Sequence, residues 1–211
     1  MFWLKLAIGC ALAWTGANFI SFWRRLLKLR RLGPEAWPRG NSREGVIYAL
    51  GKGLLPWEKE STRRHWLIYL IGISYHLSIA TGFLCLGITI FSPQPSSSPR
   101  LFLTSVLTIG VGAGVFLFLR RVLDPKLRKL SQPDDYAANL LVDSFLFSAA
   151  LTMVKLGTEA FFLVVSFCLI LYIPLGKIRH CVFFLPSRFI FGRYFGRRGI
   201  LPKRSGVKET V

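Results

Sequence analysis

The sequence predicts an all-α integral membrane protein, a five-helix bundle with its amino terminus outside and its carboxyl terminus in the cytoplasm. Of its 211 residues 52% are hydrophobic, yet the formal net charge is +18. Both values fit one protein only if apolar residues are concentrated in membrane spans and charges in the loops. The third observation is that 25 of the 28 Lys and Arg fall in three segments, 24–64, 120–136 and 177–211.

Five apolar stretches are each long enough to cross a hydrocarbon core of about 30 Å. The positive-inside rule places the three basic segments in the cytoplasm, which requires an odd number of spans with the amino terminus outside. We therefore predict a single membrane domain over residues 1–211 that ends in a basic cytoplasmic tail, 181–211. Its spans cover about residues 2–22, 66–91, 101–119, 136–154 and 159–180.

The first two spans are bounded by different signals. Arg24 and Arg25 follow the first apolar stretch directly, whereas a cleaved signal peptide carries its positive charges before the apolar region. The first helix is therefore expected to remain in the membrane. The second span follows a polar loop punctuated by Pro and Gly, 33–64, in which Ser61 or Thr62 is a predicted N-cap.

Local residues also mark the remaining spans. The third contains Gly110 and Gly114 in a G-x-x-x-G step, which is typical of close helix packing in membranes; a smooth wall beside a cofactor is the alternative. The fourth begins after Asp134 and Asp135, and carboxylates are favoured at a helix N-terminus. A short turn at Lys155 returns the chain into the fifth span.

Two histidines share one local pattern. His76 follows Gly72 by four residues, and His180 follows Gly176 by four. In a helix each glycine lies one turn below its histidine on the same face, leaving room beside the imidazole for a flat macrocycle. Two histidines on facing membrane helices hold a b-type haem, because neutral imidazole is a good axial ligand for iron. The alternative is that both are polar helix residues without a ligand.

The cysteines indicate no redox centre of their own. The four lie in or at the edge of apolar stretches and include no C-x-x-C pair. We expect buried, reduced, small apolar residues and neither a disulfide framework nor an iron–sulfur site. They are Cys10, Cys85, Cys168 and Cys181.

Three motifs in matching order give the chain a resemblance to a known family. They are Tyr75-His76-Leu77-Ser78-Ile79 in the second span, Arg120-Arg121-Val122-Leu123-Asp124-Pro125-Lys126-Leu127-Arg128 after the third, and Ile173-Pro174-Leu175-Gly176-Lys177-Ile178-Arg179-His180 at the end of the fifth. In these the chain resembles the gamma-subunit family of respiratory nitrate reductases. That five-helix membrane cytochrome b also recurs as the membrane subunit of heterodisulfide reductase-like complexes.

The resemblance implies specific haem ligands. In that family two haems are stacked across the membrane, each held by one histidine from helix two and one from helix five. His76 and His180 match the pair for the haem nearer the cytoplasm. Leu86 and Phe162 stand at the positions of the outer pair, so the chain departs from the family there. The resemblance therefore implies one haem b, with quinone chemistry near the inner haem.

Two further residues are candidates for a proton or quinone site. Asp143 lies about eight residues into the fourth span, where an ionisable residue is costly and is by default a functional candidate. It is either a proton relay to a quinone or a carboxylate paired with a neighbouring Ser, Tyr or Arg. His65, at the predicted membrane surface, contacts a quinone or partner, or is only an interfacial residue.

Other basic residues suit anionic partners. Arg120, Arg121, Lys177 and Arg179 are candidates to pair with haem propionates, although any membrane protein carries an inner positive belt. The basic tail indicates topology and contact with membrane lipids rather than nucleic acid. Its second interpretation, together with the loop 24–64, is a docking site for a cytoplasmic partner.

The predicted function is that of a haem b membrane anchor and electron-transfer subunit of a respiratory complex. It would pass electrons between the quinone pool, menaquinone or ubiquinone, and a cytoplasmic iron–sulfur oxidoreductase subunit in a prokaryotic cytoplasmic membrane. The chain carries no flavin, nucleotide or iron–sulfur motif, so it would be non-catalytic alone and would serve a quinone-linked oxidoreductase. The alternative is a non-redox small membrane scaffold or transport subunit.

Overall fold

The computed structural model describes residues 1–29, 37–58, 64–91, 96–155 and 157–202. Within these ranges all regular secondary structure is helical. Three short 3₁₀ segments, Lys52–Leu54, Pro56–Glu58 and Lys177–Arg179, accompany the α-helices. The α-helices described are α1 (Phe2–Leu29), α2 (Ser42–Leu50), α3 (Trp66–Phe91), α4 (Ser97–Leu123), α5 (Pro125–Leu130), α6 (Pro133–Val154), α7 (Glu159–Tyr172) and α8 (His180–Arg197).

Four of these helices are long and apolar enough to cross a membrane: α1, over Phe2–Arg25, and α3, α4 and α6. A fifth candidate arises only if α7 and the segment Lys177–Arg197 are counted together as one broken span. The predictions of an all-helical fold and of a multi-pass membrane protein are thus confirmed in this form. The predicted cap at Ser61 or Thr62 lies outside the described residues.

The last predicted span differs from the observed helix. The sequence predicted a span over residues 159–180, but α7 ends at Tyr172 and His180 begins α8. Pro174 has no backbone N–H, so it cannot donate the next helical hydrogen bond, to the carbonyl of Ile170. The N–H groups of Leu175 and Gly176 both bond to the Tyr172 carbonyl, at 3.0 Å each. The chain therefore turns tightly where a continuous helix was expected.

The polar and basic segments also contain helices that the sequence analysis did not predict. The loop 33–64 includes α2, and the tail 181–211 consists in its first part of α8. By contacts the chain divides into two compact units. The first comprises Met1–Leu26 and Leu70–Arg179, and the second comprises Leu27–Tyr69 and His180–Val211.

The core of the first unit is an apolar interior formed mainly by α3, α4, α6 and α7. Phe145 and Leu146 of α6, Leu107 of α4 and Phe162 of α7 are completely buried. The ring centroids of Phe145 and Phe162 lie 5.6 Å apart. A Cβ at Gly110 would overlap the side chain of Ser78 on α3, so the G-x-x-x-G step serves close helix packing, the commoner of its two interpretations.

Two basic residues outside the three basic segments stabilise helix ends in the first unit. Lys5 Nζ donates to the carbonyl of Ile90 at 2.7 Å, near the end of α3. Arg100 Nε and Nη2 donate to the carbonyl of Met153 at 2.9 and 2.7 Å, near the end of α6. The last carbonyls of a helix lack intrahelical donors and carry partial negative charge, so each cation contributes about 0.3 to 1 kcal/mol.

The second unit is built around glycine contacts between α2 and α8. A Cβ at Gly45 would overlap the backbone of Gly192 and Gly196, and one at Gly192 would lie 2.8 Å from the Ala49 Cβ. Gly45 and Ala49 are four residues apart on α2, and Gly192 and Gly196 are four apart on α8. Small residues one turn apart on each helix let the two backbones come into contact. The Arg39 N–H also donates to the Arg197 carbonyl at 2.8 Å.

Candidate functional site

His76 lies on an exposed face of α3 with its ring tied to its own helix. Its Nδ1 is 2.7 Å from the carbonyl oxygen of Gly72. A carbonyl only accepts hydrogen bonds, so Nδ1 carries the proton and the lone pair of the neutral ring lies on Nε2. Open space surrounds Gly72, where a Cβ would meet nothing within 4 Å. The predicted placement of Gly72 one helical turn before His76 is thus present in the structure.

His180 has different surroundings. It is the first residue of α8 and belongs to the second unit, whereas His76 belongs to the first. The space expected beside Gly176 is filled, because a Cβ there would lie 2.5 Å from Cε1 of Tyr172. A Cβ thus has space at Gly72 and none at Gly176. The reason is the turn after α7, which brings Gly176 back against the last residue of that helix.

A polar network joins three helices next to His76. The Tyr75 hydroxyl donates to Asp143 Oδ1 at 2.7 Å, and Asn139 Nδ2 donates to Asp143 Oδ2 at 2.8 Å. Tyr75 is buried and Asp143 partly buried. Gly114 of α4 closes the network, since a Cβ there would overlap the Asp143 carboxylate. Both Asp143 oxygens thus have donors, as a carboxylate inside a membrane helix bundle requires.

The network answers one question left open by the sequence. Asp143 is paired with a tyrosine, one of the partners considered, and Asn139 adds a second donor. Sequence analysis assigned no role to Tyr75 or Asn139. The signal for Asn139 was its spacing of four residues from Asp143, which places both on one helix face. Tyr75 had no comparable signal because its partner is 68 residues away.

A second polar cluster holds the start of α6 against the turn after α7. Asp134 accepts hydrogen bonds from the Tyr172 hydroxyl and from the backbone N–H of Lys177, the latter at 2.9 Å. Asp135 pairs with Lys177 Nζ at 2.6 Å and with Arg121 Nη1 at 3.4 Å. Two of the four basic residues considered as propionate partners therefore bond to Asp135. Arg121 and Lys177 thus each have a carboxylate partner within the protein.

Both aspartates also serve the helix start predicted for them. α6 begins at Pro133, with Gln132 as its N-cap, and the Asp135 carboxylate accepts from the Gln132 N–H at 2.8 Å. The missing N–H of Pro133 costs nothing at the first helical position. The start of α6 thus depends on its own sequence as well as on the cluster.

His65 lies one residue before α3 and is exposed in the second unit. Its backbone carbonyl accepts from the Tyr69 N–H at 3.2 Å. Asp143 belongs to the first unit, so the two residues named for a proton or quinone site lie in different units.

The two positions aligned with an outer haem pair are filled by packed apolar side chains. Leu86 and Phe162 are 4% and 0% exposed, and both belong to the core of the first unit. Among the described residues no group of three or more His, Cys, Asp or Glu is placed to hold a metal ion.

The four cysteines are unpaired, but only Cys85 is buried. The prediction of burial is wrong for Cys10, Cys168 and Cys181, which are exposed. A membrane helix has two apolar surroundings, the protein core and the lipid, so an apolar stretch does not reveal which of its residues face inward. Conversely, Gly45, Gly192 and Gly196 were missed, although a small residue every fourth position signals close packing.

No protein-family model, curated protein or solved structure matches this chain. The resemblance to the nitrate reductase gamma-subunit family accordingly stays a prediction from the motifs around His76, Arg120 and His180.

Proposed function

We propose that this chain is a haem b-containing membrane anchor and electron-transfer subunit. It would pass electrons between a membrane quinone, menaquinone or ubiquinone, and a cytoplasmic iron–sulfur subunit of a quinone-linked oxidoreductase. The membrane would be a prokaryotic cytoplasmic membrane, with the amino terminus outside and the basic segments inside. The observation that carries the proposal is His76, held by its Nδ1 on a membrane-spanning helix beside open space at Gly72.

The hydrogen bond of His76 suits an iron ligand. Histidines that bind metals usually donate the other ring N–H to a carbonyl or carboxylate, which fixes the tautomer and the ring orientation. With the proton on Nδ1, Nε2 is the ring nitrogen that would coordinate iron. His180 is the second proposed axial ligand. A haem bound by these residues would supply one-electron transfer.

The proposed stoichiometry of one haem is supported by the core. Leu86 and Phe162 have no atoms that coordinate iron, and their burial gives them a packing role. Replacing them with histidine would place imidazoles in a close-packed interior without hydrogen-bond partners. The proposal therefore assigns the chain a single haem, held by His76 and His180.

Asp143 is the residue proposed to move a proton. A carboxylate with two donors is stable inside the bundle, and the Tyr75 hydroxyl offers a path from Asp143 Oδ1 toward the turn of α3 that carries His76. A quinone exchanges protons as well as electrons, so an ionisable group beside the electron carrier would serve it. His65 is the second choice and would act at the surface.

Haem content tests the proposal directly. A pyridine haemochrome assay of the purified protein is expected to give one b-haem per chain, low-spin and bis-histidine. His76→Ala and His180→Ala should each abolish the visible spectrum, and His65→Ala is the matched control that should retain it. Two haems per chain would contradict the single site, and a normal spectrum in either ligand variant would show that the ligand pair is wrong.

Asp143→Asn tests the proton role. The substitution keeps the size of the side chain and removes its ionisable group, so quinone-linked reduction or oxidation of the haem should slow while the spectrum stays intact. Loss of haem or failed assembly would instead make Asp143 a structural residue. Unchanged turnover with quinone would place proton exchange elsewhere.

One observation favours the alternative, a non-redox scaffold or transport subunit. Tyr75 and Asn139 satisfy both oxygens of Asp143 inside the protein, which is all that a purely structural carboxylate needs. Purified protein without a reducible visible spectrum would support this alternative.

A further inference from the structure

We propose that the second unit binds the surface of an anionic bilayer through exposed apolar and basic side chains of α2, of α8 and of the residues on either side of α2, 37–41 and 51–58. This membrane-surface unit would be an interfacial element, so α8 would not cross the bilayer. The fifth crossing of the proposed topology would then be residues 159–179 alone, which are α7 and the turn after it. The proposal goes beyond the electron-transfer function and does not depend on haem. Its occupant is the lipid surface itself, with negatively charged headgroups.

The first argument is that the chain ties this unit to the membrane. It is joined to the first unit at three points, after Leu26, before Leu70 and after Arg179. Two of these points lie within α1 and α3, which are each long and apolar enough to span a membrane. A unit attached in this way stays close to the bilayer.

The second argument is that its apolar side chains are exposed and large. Trp37 and Trp57 are 91% and 61% exposed, and Ile47 of α2 is 62% exposed. Along α8 the exposed apolar residues are Val182, Phe184, Leu185, Phe189, Ile190 and Phe191. Glycine contacts already hold α2 against α8, so these side chains are not needed for that packing. Tryptophan and phenylalanine are favoured where lipid headgroups meet acyl chains.

The third argument is charge. Within its described residues the second unit carries nine Lys and Arg against two Glu. The Arg188 guanidinium lies 5.9 Å from the ring centre of Phe184 and 5.7 Å from that of Phe191. Arg198 lies 5.4 Å from the ring centre of Tyr194. Alternating aromatic and basic side chains suit an anionic interface, because rings enter the boundary while guanidinium groups meet phosphates.

The α8 sequence fits a surface position better than a crossing. α8 has 18 residues with Pro186 inside it and passes the test for a span only together with α7. Its three arginines, Arg188, Arg193 and Arg197, would be costly at the centre of a bilayer. At the headgroup level the same arginines are favourable.

The test uses the full chain in lipid nanodiscs and measures the fluorescence of Trp37 and Trp57 alone. Trp3, Trp14, Trp23 and Trp66 are replaced by Phe, so that only these two tryptophans report. In bilayers of phosphatidylcholine and phosphatidylglycerol, lipids brominated in the acyl chain should quench their fluorescence, and aqueous iodide should not. In bilayers of phosphatidylcholine alone, iodide should quench the two tryptophans and the brominated lipids should not. Salt at about 1 M, where the Debye length is about 3 Å, should weaken the effect.

Charge variants separate lipid binding from a general effect of the bilayer. Arg39→Gln, Arg43→Gln and Arg193→Gln combined should reduce quenching in the anionic bilayer to the level seen in phosphatidylcholine. The matched control is Lys126→Gln, Arg128→Gln and Lys129→Gln, which removes three charges from the first unit and should leave quenching unchanged.

The opposite results overturn the proposal. If iodide reaches Trp37 and Trp57 equally in both bilayers, the surface does not bind lipid, and an acidic protein partner becomes its occupant. Equal loss of quenching in the two triple variants would show only a dependence on net charge. The visible spectrum of each sample is recorded as well, so a failure of the haem proposal is distinguished from a failure of this one.

Discussion

The segments Gly72 to His76 and Gly176 to His180 have the same spacing, yet the structure builds them differently. In α3 the helix is continuous, and His76 bonds through Nδ1 to the Gly72 carbonyl one turn below. After α7 the helix has ended, Gly176 packs against the Tyr172 ring, and His180 begins another helix. A spacing of four places two residues on one face only where the helix continues between them.

Gly72 and Gly176 therefore have different structural roles. Gly72 has space beside it for a Cβ. Gly176 allows a close approach of backbone and ring within a turn that Asp134 ties to the start of α6. The second segment is therefore held by tertiary contacts, whereas the first is held by its own helix.

The largest expected effect comes from removing the carboxylate that holds the turn. Asp134→Ala removes the acceptor of the Tyr172 hydroxyl and of the Lys177 N–H and a negative charge at the start of α6. Hydrogen bonds to charged groups are worth about 1.5 to 3 kcal/mol each, so unfolding in mixed detergent micelles should show a loss of about 2 kcal/mol or more. A stability equal to that of the wild type would mean that the turn does not need Asp134.

The next effect compares the two glycines directly. Gly176→Ala forces a Cβ into the Tyr172 ring, and overpacking of this kind typically costs about 1 to 3 kcal/mol. Gly72→Ala is the matched control, with space for the Cβ, and should leave stability unchanged or raise it by up to about 1 kcal/mol because alanine favours helix. The free energy of unfolding of both variants is measured in the same mixed detergent micelles. Equal changes in the two variants would remove the distinction between the segments.

The smallest effect is expected from Tyr172→Phe. It removes the hydroxyl that donates to Asp134 but keeps the ring that packs on Gly176. The loss should be about 1 kcal/mol, smaller than that of Asp134→Ala, because the Lys177 N–H keeps its acceptor. A loss as large as that of Asp134→Ala would show that the hydroxyl alone holds the turn.

How far the sequence predicts this protein depends on the range of the interactions involved. The spans around α1, α3, α4 and α6 follow from a contiguous run of apolar residues and were predicted. The break at Pro174 also has a local cause, because proline has no backbone N–H to continue the helix, although the apolar run through this position predicts a longer span. The pairing of Tyr75 with Asp143 joins residues 68 apart and has no local signal.

Apolar run length and charge segregation by themselves determined that the chain is helical and multi-pass, because each helix must satisfy its backbone within its own segment in lipid. The tertiary structure alone decided whether the space beside each glycine is filled or open. It also decided which side chains donate to Asp143 and that Asp135 binds Arg121 and Lys177. Those outcomes depend on which helix faces meet. Hydropathy does not encode that choice, since a lipid-facing and a core-facing side chain are equally apolar.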